Sequence, residues 1–226
     1  MDTNDLRQYV PERLTWLRAV VGSIPVVGCA LDHLLFDKAD AIRLKNLEAA
    51  IAAISEQLSK LHQDTIDKDW FQSEEALATF KLLSDKVSYE PDKAKVDALG
   101  RVVATCGTVQ YSKDHRKLSV VEHLSRLSST QIKLLSAIHK TSPKEKKVAG
   151  GDLVQTATAI WINDVKATLE TGEVFWVGTM KLDEELEVLE SFNTIRRVQL
   201  LAPSELGFTL TTIGKQAASY VQSAGL

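Results

Sequence analysis

"LKNLEAAIAAISEQLSKL", Leu44 to Leu61, decides how this chain is read. Leu44, Leu47, Ile51, Ile54, Leu58 and Leu61 recur three and four residues apart, which places them on one stripe of a helix. Arg43, Lys45, Glu48, Glu56 and Lys60 occupy the opposite side. Asp37 or Asp40 can cap the start, so a long helix is expected over 37–63. The stripe is a possible helix-pairing seam for a second subunit. Ala49, Ala50, Ala52 and Ala53 widen it beyond a strict coiled-coil seam, which favours pairing inside the chain's own bundle.

Upstream lies the most apolar run, "VVGSIPVVGCALDHLLF", Val20 to Phe36. Its uninterrupted apolar or small part, Ala19 to Leu31, has 13 residues and contains Pro25. A membrane-spanning helix needs about 20. Val26-Val27-Gly28-Cys29 resembles a lipoprotein cleavage site, but Asp2, Asp5 and Glu12 contradict a basic leader. Leu6, Val10, Leu14, Leu17 and Val21 form an amphipathic stripe instead. A buried hairpin bent at Pro25 is expected, in a water-soluble cytoplasmic protein, with membrane activity of the 19–36 hairpin as an alternative.

Downstream the pattern stays helical. A helix is expected over Asp69–Ser88 with Trp70, Leu77, Phe80, Leu83 and Val87 inward. Pro91 opens a third at its first turn, carrying Val96, Leu99, Val103 and Cys106. Tyr111 to Lys117 is a polar connection, and Leu118, Val121, Leu124 and Leu127 mark another helix. Together these give an N-terminal helical bundle over 1–117.

Residues 118–226 read as α+β. "SSTQ", Ser128 to Gln131, is a capping-box pattern before Ile132, Leu135 and Ile138. "TSPKEKKVAGGD" is expected to be a loop, and Leu153–Leu169 a helix. Glu173–Val177 is rich in strand formers. A helix over Leu182–Phe192, with Leu186 and Leu189 inward, precedes "RRVQLLA" and "FTLTTI", two strand-like runs around the turn "PSELG". A last helix covers Gly214–Ala224.

"LEVLESFNTIRRVQLL" followed by "FTLTTIGKQAASYV" resembles the ending of a winged-helix module, with a Thr-x-x-Gly helix start. The order of elements along the whole chain also resembles uncharacterised bacterial helical proteins of the abortive-infection alpha type. The first resemblance implies a winged-helix-like module over roughly the last 100 residues. The second implies a non-enzymatic interaction or regulatory role, in phage defence, and carries no active site to transfer.

Charge separates the binding readings. Tyr111 to Lys147 holds nine Lys or Arg against three Asp or Glu, in a chain of net charge −3. Lys113, Arg116, Lys117, Lys144, Lys146 and Lys147, with Arg196 and Arg197, are therefore the candidate nucleic-acid contacts. Against them, the helix that would enter a DNA groove, Lys181–Asn193, carries Asp183, Glu184, Glu185, Glu187 and Glu190. Those carboxylates repel phosphate, so another protein, or a second copy, is the expected partner.

Chemistry is not indicated. His33, His62, His115, His123 and His139 have no metal-ligand spacing. Gly207 to Lys215 has six residues between its glycines and Gln216 after the lysine, which rejects a phosphate loop. No G-x-S-x-G is present. No catalytic residue, cofactor or metal is expected.

Overall fold

The structure is a computed structural model that describes residues 41–150, 153–170, 182–198 and 206–226. The Leu6–Val21 stripe, the Ala19–Leu31 hairpin with its Cys29, the Glu173–Val177 strand with Trp176, and residues 203–205 of the "PSELG" turn lie outside these residues. What is described is mainly helical with a small four-stranded antiparallel sheet. The described residues form two compact units, one within 41–129 with 223–225 and one within 130–222 with 226. The division falls after Ser129.

In the first unit, α1 (Ala41–Lys60) packs along α4 (Lys93–Cys106). Leu44, Leu47, Ile51 and Ile54 are buried, and Leu58 and Leu61 are half-buried at the helix end. A Cβ on Gly100 would stand 2.6 Å from the Ala50 carbonyl oxygen and 2.9 Å from the Ala53 Cβ. Small residues on both helices therefore set a close approach of α1 and α4. Ala49 and Ala52, expected to widen the apolar face, are exposed.

The helix expected over Asp69–Ser88 is two helices, α2 (Lys68–Phe71) and α3 (Glu74–Val87). Asp67 caps the first by accepting from the Asp69 and Trp70 amides. Ser73 restarts the chain as the cap of α3, accepting from the Ala76 amide, with Glu74 and Glu75 favourably placed in the first turn. Trp70, Phe80, Leu83 and Val87 are buried as expected, while Leu77 is 41% exposed. Pro91 does not open α4; it precedes Asp92, the cap. The buried Asn46 donates to the Val87 and Glu90 carbonyls at 2.9 and 2.8 Å and so pins the end of α3 to α1. α5 (Lys117–Ser125) completes this part, with Val121 and Leu124 buried.

These caps have a pH signature. The Ser112 hydroxyl and the Trp70 and Asp69 amides hold the Asp67 carboxyl below its ordinary value. Burial would raise Asp92, but its bonds to Ser129, Lys95 and Ala94 outweigh it and the net shift is also downward. A lowered folded pKa stabilises above the unfolded value, about 3.9, and that stability is lost as pH falls through the folded pKa. The urea midpoint is expected to fall as pH drops below about 5, less steeply in Asp67→Asn. An equal slope in that variant would refute the assignment.

In the second unit, α6 (Ser129–Lys140) buries Ile132, Leu134, Leu135 and Ile138. The expected loop and helix that follow are a hairpin instead. β1 (Lys144–Gly150) pairs antiparallel with β2 (Leu153–Trp161), Lys144 opposite Ala159 and Gly150 opposite Leu153. Ala157, Ala159 and Trp161 face inward and Thr156 and Thr158 outward, a period of two. Helix begins only at α7 (Ile162–Glu170). α8 (Leu182–Ser191) buries Leu186 and Leu189 as expected. β3 (Ile195–Arg197) and β4 (Gly207–Leu210) form the second antiparallel pair, and α9 (Thr212–Ser223) follows.

The sheet order is β1-β2-β4-β3. Only Ile160 and Trp161 of β2 reach β4, pairing with Phe208 and Gly207. The fully buried Trp161 locks this corner: its indole N–H donates to the Lys144 carbonyl at 2.8 Å, and its ring lies 3.0 Å from where a Gly207 Cβ would be.

Candidate interaction surfaces

Of the eight basic candidates, three lie in the first unit and five in the second. Lys113 and Arg116 are exposed in the connection before α5 of the first unit. Lys117 is not available to any ligand. Only 1% of its side chain is exposed, and its ammonium lies 2.9 Å from the Glu75 carboxylate. It also donates to the carbonyls of Ser112, Asp114 and Tyr111 at 2.7, 2.8 and 3.3 Å. The Trp70 ring centre is 5.8 Å away, and the Trp70 indole N–H donates to the same Glu75 carboxylate at 2.8 Å. A buried charge needs this degree of pairing to be tolerated. Lys117 is thus an internal tie that folds the 111–116 segment around its own ammonium.

Beside it, Cys106 is fully buried. Burial pushes its thiol up, and the Lys117 charge only partly opposes that shift. A thiol held protonated in this way is a poor nucleophile. Burial, with the Arg126 charge, lowers His123. Among the described residues no three of His, Cys, Asp and Glu converge as metal ligands.

The other candidates divide between the two ends of the sheet of the second unit. Lys144, Lys146 and Lys147 lie on β1, one end strand, and Arg196 and Arg197 on β3, the other. Asp164 of α7 binds Lys144 at 2.5 Å and lies 4.0 Å from Lys146. Lys146 also stands 4.8 Å above the Trp161 ring. Lys147 is exposed. At the far end, Arg197 binds Glu190 at 2.8 Å and Glu187 at 3.3 Å. Its charge is therefore answered by α8 of the same chain.

α8 has two faces. Leu186 and Leu189 point into the unit, while Asp183, Glu184 and Glu187 are exposed. Glu185 accepts from the Gln131 amide at 2.7 Å, which fixes α8 to α6. Phe192 is half-buried.

No family model matches the chain, and neither a curated protein nor a solved structure matches it. The surfaces must be read from their own chemistry. Sequence reasoning missed Asp164 and Glu75, the two carboxylates that neutralise Lys144 and bury Lys117. Each lies in a different element from its lysine, so sequence spacing carried no signal. No helix among the described residues is long and apolar enough to cross a membrane.

Proposed function

We propose that the second unit is a winged-helix-like module that contacts another protein and does not read DNA. The order α6, β2, α7, α8, β3, β4 supports the winged-helix reading, with β2, β4 and β3 as neighbouring strands and β1 as an addition. α8 then stands where a recognition helix would enter a major groove. The observation that carries the functional reading is the face it presents: Asp183, Glu184 and Glu187 are exposed, and the nearby Arg197 is engaged by Glu187 and Glu190. Such a face repels phosphate and suits a basic segment of a partner protein. A place in bacterial phage defence rests on the layout resemblance alone; a plaque assay on cells expressing the intact chain tests it.

A mobility shift with generic duplex DNA, at low and at physiological salt, is expected to show no complex. A salt-sensitive complex of the intact protein would overturn the reading. Conversely, a lysine-rich peptide is expected to bind, and Glu184→Gln with Glu187→Gln to weaken it at unchanged thermal stability. Unaltered peptide affinity in that variant would count equally against α8 as the contact face.

A further inference from the structure

The β1 end of the sheet is a second surface, of opposite charge to α8. No described strand lies beyond β1 in the sheet order. Its seven residues offer an edge about 23 Å long, at roughly 3.3 Å per residue. Edge strands expose backbone N–H and C=O groups that another strand can pair with. Here the edge carries Lys144, Lys146 and Lys147 against the single Glu145. Successive side chains alternate, so Lys144 and Lys146 lie on one face and Lys147 on the other.

We propose that β1 receives an extended acidic segment of another protein, added as a fifth strand. Backbone pairing supplies the adhesion in this mode, and side chains opposite the lysines supply selectivity. A second copy of β1 is a poor occupant. Full-length antiparallel pairing of two such strands, Lys144 opposite Gly150, sets Lys147 against Lys147. The lysines that disfavour self-pairing are the ones an acidic strand satisfies. Asp164 engages Lys144 and lies 4.0 Å from Lys146, so the exposed Lys147 is the most accessible of the three. This surface is independent of the α8 reading, since it lies at the other end of the sheet.

The test uses the intact protein and a fluorescein-labelled seven-residue peptide with Glu opposite Lys144, Lys146 and Lys147 and Val elsewhere. Its controls are the same peptide N-methylated at every amide and a single-stranded oligonucleotide of equal charge. The labelled peptide is expected to bind and to slow amide exchange over 144–150. N-methylation, which removes strand pairing but no charge, should weaken binding more than about tenfold. Lys146→Gln with Lys147→Gln should weaken it about tenfold, with the thermal midpoint checked to show an intact fold. Three results would sink the proposal: no binding of the peptide at low salt, equal affinity for the N-methylated form, or a tighter complex with the oligonucleotide. The last would make the lysines a nucleic-acid contact.

Discussion

Replacing Lys117 with Met is expected to cost the first unit about 3 kcal/mol, more than any surface lysine could. Met keeps most of the side-chain volume and removes the charge, so the loss reports the ammonium. Three carbonyls, of Tyr111, Ser112 and Asp114, lose their donor together, and Glu75 loses its counter-ion. Removing one partner of a buried pair costs about 3–5 kcal/mol. The lower end applies because Glu75 remains 33% exposed and water can reach it. A urea titration followed by circular dichroism measures the change. Lys113→Met, an exposed change in the same connection, should stay within about 0.5 kcal/mol. Adding Glu75→Gln to Lys117→Met should recover part of the loss, because it removes the stranded carboxylate. A midpoint for Lys117→Met equal to that of the unchanged protein would mean the ammonium is not buried in solution.

The same lysine shows where the sequence stops being informative. Lys113, Arg116 and Lys117 look alike in one dimension, as three cations in a polar stretch. Which of them turns inward depends on Glu75 and Trp70, more than 40 residues earlier in the chain. The α1 seam was legible because its information is local: spacings of three and four, repeated over most of 20 residues, admit only a helix. The β1–β2 hairpin was not, because Leu153, Ala157, Trp161 and Val165 also recur at four and so imitate a helical stripe. Alanine belongs among good helix formers, which hid the alternation of Ala157, Ala159 and Trp161 with Thr156 and Thr158. β1 was hidden for another reason. An edge strand can carry lysines on both faces, and "KEKKV" then reads as a solvated loop. The α8–β3 and β4–α9 junctions were nearer to the expectation, since Thr211 accepts from the Gly214 amide at 3.1 Å as a Thr-x-x-Gly start implies.

That last junction yields the second large effect. Gly214→Ala is expected to destabilise the second unit by about 3 kcal/mol, the upper end of ordinary overpacking. A Cβ on Gly214 would stand 1.9 Å from the Thr194 carbonyl oxygen and 2.9 Å from its carbon. Both are backbone atoms, so no rotamer relieves the contact. Thr194 cannot retreat easily either. It is fully buried, its amide donates to the Leu189 carbonyl at 2.8 Å, and its own carbonyl accepts from the Thr211 amide at 3.1 Å. The preceding Asn193, at φ 56°, already holds the left-handed turn that ends α8. The remaining freedom is to lift the start of α9, which breaks the Thr211 cap. Alanine's better helix propensity returns at most about 1 kcal/mol, so the clash wins. Thermal unfolding should show the loss, while Lys215→Ala, the exposed neighbour, should stay within about 0.5 kcal/mol. The same variant separates fold from contact. Loosening this corner should lower both the midpoint and the affinity for a lysine-rich peptide. Glu184→Gln with Glu187→Gln should lower the affinity alone, because those carboxylates are exposed on α8 and leave Leu186 and Leu189 in place.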